Sequence, residues 1–186
     1  MGRMTFTETA LAGAFVIAPK LFRDNRGWFA RTYCRRDFEA VGLVADWVQM
    51  NHSMTQQTGA IRGMHYQKPP HAEIKLVRCV AGRVFDVIID LRAGSPTFGH
   101  WFGTELSAEN QQMLYIPKGF AHGFQTLTEN CELIYCHSDY YTPGSEGAVR
   151  YDDPRISIEW PLPAADLSAR DAAHPLLDPS FHGLTF

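Results

Sequence analysis

Between Trp47 and about Tyr141 the chain runs as short segments rich in Val, Ile, Phe and Tyr, each broken by Gly, Pro, Asn or Asp. Segments 74–80, 84–91, 101–106, 113–116, 123–127 and 133–137 have strand length, and this rhythm predicts an all-β sandwich or barrel. One hairpin stands out. Segments 74–80 and 84–91 flank Ala81-Gly82-Arg83, where the glycine supplies the positive φ of a tight turn. Ahead of this block, 35–42 reads as one short helix with Gly42 near its C-terminal end. Behind it, Pro161, Pro163, Pro175 and Pro179 predict a loop-rich tail with at most a short helix near 167–173. Small all-β chains of this kind close into double-sheet jelly rolls whose interiors can hold a ligand.

A chain of 186 residues suits one domain, 1–186, with a sizeable core. Its net charge of -3 gives no global basic footprint for nucleic acid, but leaves room for a local basic pocket that takes a small anion. No apolar stretch approaches the roughly 18 residues of a membrane span. The start, Met1-Gly2-Arg3-Met4-Thr5-Phe6, lacks a signal-peptide core, so a cytoplasmic location is expected. Cys34, Cys79, Cys131 and Cys136 form no CxxC pair and read as free thiols.

The chemistry-bearing residues fall into clusters. In Ile61-Arg62-Gly63-Met64-His65-Tyr66-Gln67, strand alternation puts Arg62, Met64 and Tyr66 on one face and Gly63, His65 and Gln67 on the other. If the His65 face points inward, with Lys75 from the next strand beside it, burial and the neighbouring cation keep the imidazole neutral, as a general base requires. A histidine hydrogen-bonded within the core fits the same pattern.

The Pro117-x-Gly119-x-x-His122 order is a turn that delivers a histidine onto a new strand, a cupin-type signature. His65, His71, Glu73 and His122 carry metal-donor atoms. A metal-binding cupin, however, wants a His-x-His pair, and the second position here is Gln67. The Pro69-Pro70 turn is expected to carry His71 and Glu73 off the cavity, so no metal is expected.

Around Phe22-Arg23-Asp24-Asn25-Arg26-Gly27-Trp28-Phe29, Arg26 is either a fork for phosphate oxygens or part of an exposed turn whose aromatic pair packs in the core. Tyr135, Tyr140-Tyr141 and Glu146 are either β-core residues or include a phenol facing the imidazole as its acid partner. Ser168 in Leu167-Ser168-Ala169-Arg170-Asp171 has the character of an N-cap.

Taken together the chain resembles the dTDP-4-dehydrorhamnose 3,5-epimerase family. The matching segments include Phe22-x-Asp-x-Arg-Gly-x-Phe29, Gln49-x-Asn-x-Ser53, Ile61-Arg-Gly-x-His-Tyr-Gln67 and Lys75-Leu-Val-Arg78. They continue through Asp90-Leu-Arg-x-x-Ser-Pro-Thr-Phe-Gly99, Ile116-Pro-x-Gly-Phe-Ala-His-Gly-Phe124, Tyr140-Tyr-x-Pro143, Asp152-Asp-Pro154, Ile158-x-Trp-Pro161 and Leu167-Ser-x-x-Asp171.

The resemblance implies a cupin-type double-stranded jelly roll with short peripheral helices, active as a homodimer on a nucleotide-sugar substrate without metal or cofactor. It implies His65 as base, Asp171 as the carboxylate that orients it, Tyr135 as proton carrier on the opposite face, and Lys75 near the keto oxygen. It places Arg26 and Arg62 at the diphosphate with His122 close by, Gln49, Asn51 and Glu146 as further substrate contacts, and Tyr141 as a stacking surface for the base. One departure is Arg31, where the family usually has a glutamate that contacts substrate. His71-Ala72-Glu73 also differs from the commonest family form, which leaves open a different nucleotide sugar or inversion of only one carbon.

The chemistry is coherent without the family. A proton beside a ketone is acidic because its loss gives an enolate, and a cation at the carbonyl oxygen stabilises that charge in a water-poor site. Return of the proton from the other face conserves oxidation state, which accords with the lack of a Gly-rich dinucleotide loop. The alternatives are a metal-dependent cupin enzyme and a cupin that binds a sugar nucleotide without turning it over.

Overall fold

The computed structural model describes residues 4–43 and 46–186. The first three residues of the start expected to lack a leader therefore lie outside the described residues. Among the described residues, thirteen strands and two short helices follow one another: β1 Met4–Glu8, β2 Phe15–Pro19, β3 Leu21–Asp24, β4 Gly27–Ala30, α1 Arg35–Glu39, β5 Gln49–Thr55, β6 Ile61–Gln67, β7 Lys75–Ala81, β8 Arg83–Asp90, β9 Trp101–Ser107, β10 Met113–Ile116, β11 Phe120–Thr126, β12 Cys131–His137, β13 Glu146–Ala148 and α2 Ala169–Ala172. They form a six-stranded sheet ordered β1-β2-β10-β7-β12-β5, a five-stranded sheet ordered β13-β6-β11-β8-β9, and a separate β3-β4 hairpin.

All pairings between these strands are antiparallel. The two large sheets close face to face as a jelly roll, as the strand rhythm predicts. The β block begins earlier than expected, at β1 and β2, which extend the six-stranded sheet past β10.

Strand alternation sorts the side chains into three layers. Val77, Cys79, Leu114, Ile116, Cys131 and Leu133 from the first sheet meet Val84, Ile88, Leu106, Phe120 and Phe124 from the second. Phe38 of α1 packs with Ile17, Leu76, Met113 and Tyr115 on the outer face of the six-stranded sheet. The tail residues Val149, Ile156 and Leu184 cover Met64, Val87 and Ile89 on the outer face of the other. Helix α1 is shorter than the expected 35–42. It closes through Gly42 at φ +77, with Leu43 N–H bonded to Phe38 C=O and Gly42 N–H to Glu39 C=O, the pairing of a Schellman end.

Toward one end of the sandwich the inward-facing positions turn polar. Leu133 is followed on the same face of β12 by Tyr135 and His137, Val77 is preceded on β7 by Lys75, and β5 supplies Asn51, Ser53 and Thr55. This open end is where the site lies.

Strict alternation fails at one place. On β11, His122 and Phe124 are two positions apart, while their partners His65 and Arg62 on β6 are three apart. The extra residue is a β-bulge, and it returns Arg62 to the same side as His65, contrary to the expected opposite faces.

The bulge depends on backbone contact. A Cβ on Gly63, which sits at φ +142, would lie 2.6 Å from Gly123 Cα. Gly63→Ala is therefore expected to combine left-handed strain with backbone overlap and to lower stability by about 2–4 kcal/mol, read as a fall in the denaturant midpoint. An unchanged midpoint would show that the bulge adapts without cost.

Candidate active site

The open end of the sandwich holds a cleft of two lobes, 530 and 510 Å³, that share Asn51, His65, Lys75, His137 and Arg170. The first lobe runs past Arg62, His122, Tyr135, Ser53 and Asp171. The second runs past Gln49, Glu73, Tyr141 and Glu146.

His65, half-buried on β6, bonds through Nε2 to Asp171 Oδ1 at 2.7 Å. Asp171 is buried and comes from α2, whose N-cap Ser168 accepts the Asp171 N–H at 3.0 Å. The expected cap thus fixes the carboxylate that holds the imidazole. Burial pushes the His65 pKa below its ordinary 6.5, against the pull of Asp171, and the Lys75 and Arg170 charges push the same way. The imidazole is neutral at pH 7, with Asp171 selecting its tautomer.

The opposite wall is built from β5, β7 and β12. Tyr135 Oη lies 3.0 Å from Ser53 Oγ, and burial raises its pKa, so the phenol keeps its proton. Lys75 is the cross-strand neighbour of His137, and Lys75 Nζ lies 3.2 Å from Glu73 Oε1. The other Glu73 oxygen meets His137 Nδ1 at 2.8 Å. Burial alone would raise Glu73, but the His137 hydrogen bond and the Lys75 charge outweigh it and hold the carboxyl below its ordinary value. The expectation that the Pro-Pro turn carries Glu73 off the cavity is therefore corrected. His71 lines neither lobe, but two residues on, the chain drops back into the wall of the second.

His122 is buried, with Nε2 3.0 Å from both oxygens of the fully buried Asp86. Arg62 Nε donates to Thr55 Oγ1 at 2.9 Å and leaves its exposed guanidinium at the rim of the first lobe. At the far end Glu146 accepts from Arg170 at 2.7 Å and from the Tyr141 hydroxyl at 3.2 Å, and Gln49 accepts the Tyr141 N–H.

Of the residues expected at the site, His65, Tyr135, Asp171, Lys75, Gln49, Asn51, Arg62, His122, Tyr141 and Glu146 all line this cleft. Arg26 does not. It stands at the tip of the β3-β4 hairpin, its side chain 84% exposed and paired with Asp24 at 2.6 Å. The aromatic pair of that hairpin, Phe22 opposite Phe29, is 43% and 64% exposed rather than packed in the core. Arg31 follows β4 and also lines neither lobe.

Sequence reasoning missed His137, Ser53 and Arg170. For His137 and Ser53 a signal was present, because each is two residues from a position already placed on the inner face.

Gln67, at the second position of a would-be His-x-His pair, is committed elsewhere. Its amide donates to the carbonyls of His71 and Tyr140 and accepts the Thr142 N–H. His65, Asp171 and His174 have donor atoms within 4.8 Å of one another, close enough to share an ion, though Asp171 Oδ1 already bonds His65.

Comparison with known proteins accords with this arrangement. The family model described as dTDP-4-dehydrorhamnose 3,5-epimerase matches residues 8–179. The protein of that name from Salmonella typhimurium is 48% identical over 177 residues, 94% of this chain and 96% of that one. The crystal structure of the enzyme from Elizabethkingia anophelis superposes with a TM-score of 0.92 at 41% identity, covering 97% of this chain and 100% of that one. A dTDP-6-deoxy-D-glucose-3,5-epimerase from Legionella pneumophila, in complex with dTDP-4-keto-L-rhamnose, gives 0.90 at 41% identity, covering 98% and 99%. With matches spanning nearly the whole chain, on a cupin-type jelly roll, the chain belongs to the dTDP-4-dehydrorhamnose 3,5-epimerase family.

Proposed function

We propose that this chain is an epimerase that inverts one or both carbons flanking the keto group of a dTDP-linked 4-keto-6-deoxyhexose. The observation that carries the reading is the neutral His65, tied to Asp171, facing Tyr135 and Lys75 across one cleft. His65 takes the proton from the carbon beside the ketone, and the electron pair moves to the carbonyl oxygen. Lys75 stabilises the charge that develops there, worth several kcal/mol in a water-poor site. Tyr135, still carrying its proton, supplies one from the opposite face, and the ketone re-forms. Arg62 and His122 hold the diphosphate, while Gln49, Asn51, Glu146 and Tyr141 hold the outer parts of the substrate. That remote binding energy orients the reacting carbon. No step in this sequence moves electrons to or from a cofactor.

We also infer a homodimer. The β3-β4 hairpin exposes Phe22, Trp28 and Phe29, and the edge strand β5 exposes Met50 and Met54. A second copy would cover such apolar groups and would bring the phosphate fork of Arg26 to the cleft of its partner. No helix among the described residues is long and apolar enough to cross a membrane.

Isotope exchange and the pH profile test the chemistry. Solvent deuterium incorporation into dTDP-4-keto-6-deoxyglucose should vanish in His65→Ala. In Asp171→Asn it should fall by about 10²–10⁴-fold. The acid limb of kcat/KM should lie below pH 6.5, because the neutral form of a group with a lowered pKa persists to lower pH. It should move lower still in Asp171→Asn, which removes the charge that favours the imidazolium. A limb that stays in place would mean that another group titrates.

Dialysis against EDTA should leave exchange unaltered, since the Gln67 amide is already satisfied by backbone groups. Loss of activity that zinc, iron or manganese restores would replace this reading with a metal-dependent one. Sedimentation should give twice the chain mass, and Arg26→Ala should raise KM for the sugar nucleotide with kcat little changed. A monomer of full activity would remove the hairpin from the site.

A further inference from the structure

The wall facing His65 contains a second carboxylate–imidazole pair that the chemistry above does not use. His137 follows Tyr135 by two residues on the same face of β12, and the two rings stack with centroids 6.3 Å apart and planes 27° from parallel. Its Nδ1 is anchored at 2.8 Å by Glu73, as the His65 ring is anchored by Asp171. Its Nε2 lies 3.3 Å from the Asn51 side-chain amide, and the ring borders both lobes of the cleft. The Glu73 side chain is only 9% exposed and also meets Lys75, so the carboxylate is buried between two nitrogen groups.

This arrangement has an electrostatic consequence. Glu73 neutralises the Lys75 ammonium at the point where enolate charge develops. A proton on His137 adds to the positive charge there, with Nδ1 held by Glu73. As placed, the Asn51 amide nitrogen faces Nε2 while the Asn51 oxygen accepts from Gln49 at 3.3 Å, so a proton on Nε2 has no acceptor in Asn51 and turns toward the cleft. The protonated ring then has one hydrogen fixed by Glu73 and one aimed along the cleft.

A ketone in the middle of a sugar has two flanking carbons, and inversion of each needs a donor on the wall opposite His65. Tyr135 is one. We propose that His137 is the second catalytic donor, serving one flanking carbon while Tyr135 serves the other; this rests on the epimerase reading above. In its half of the reaction His65 removes the C–H proton and the electron pair enters the enolate. The enolate carbon then takes the Nε2 proton of His137 from the other face, the new C–H bond forms, and the ketone is restored. His137 is left neutral with its Nδ1 hydrogen on Glu73. Proton exchange with solvent resets both rings, and no oxidant or reductant is involved.

The test follows product stereochemistry by proton NMR, with dTDP-4-keto-6-deoxyglucose in deuterated buffer. The wild type is expected to invert both carbons. His137→Gln should lose inversion at one of them by about 100-fold or more, the size of a general-acid contribution, and keep the other within a few-fold. Tyr135→Phe should show the complementary loss. The double variant Glu73→Gln/His137→Gln removes the carboxylate together with the ring, leaves the Lys75 charge in place, and should repeat the single-carbon loss in a protein that still melts cooperatively.

Equal loss at both carbons, or both inversions retained, would overturn the proposal by reducing His137 to a packing partner of Lys75. A wild type that inverts a single carbon would overturn it too, while leaving the epimerase reading intact. A wild type that neither inverts nor labels either carbon would fail the epimerase reading itself.

Discussion

The contact between Gly63 and Gly123 sets the geometry on which the site depends. Their backbones approach too closely for any side chain at Gly63, and the strand pair absorbs one extra residue there. Without that residue, Arg62 and His65 would face opposite sides of the sheet by the two-residue period of any strand. With it, the Arg62 guanidinium and the His65 imidazole open onto the same cleft. The cost is local. Met64 and Tyr66 still point outward into the layer covered by the tail, so the bulge re-aims one side chain without disturbing the packing behind it.

The rest of the cleft needs no special device. It is the interior of the sandwich continued past the point where the apolar residues stop. Leu133, Tyr135 and His137 are successive inward positions of one strand, and the change from aliphatic to titratable along that row marks the boundary between core and site. Polar groups in this position are desolvated by the same walls that bury the core. That is why His65 is pushed toward its neutral form while Tyr135 keeps its proton.

Much of this was legible from the chain alone, for physical reasons that differ by element. The strands from β7 to β12 announce themselves by β-branched runs between turn residues, and Gly82 marks the β7-β8 turn at φ +72. Strands β1 and β2 are short, and β1 is half-exposed at a sheet edge, so it lacks the apolar density of the central strands. Ser168 was readable as a cap because helix starts use local chemistry, whereas the bulge at Gly63 is a property of the pairing with β11 and is marked locally only by a glycine inside a strand pattern. Glu73 illustrates a third kind of failure. A Pro-Pro turn says that the chain changes direction but not that it returns within three residues. The likeness to a known family supplied expectations that spacing alone leaves open, above all for Asp171, which lies 106 residues from the imidazole that it bonds.

That separation has a temporal meaning. During synthesis the imidazole of His65 emerges early, and both large sheets can pair once β13 is available. The carboxylate bonded to the imidazole arrives only with α2, after Val149 and Ile156 of the tail and ahead of Leu184. The β-sandwich can thus be well formed while still chemically inert. The His65–Asp171 pair is complete only when α2 has docked.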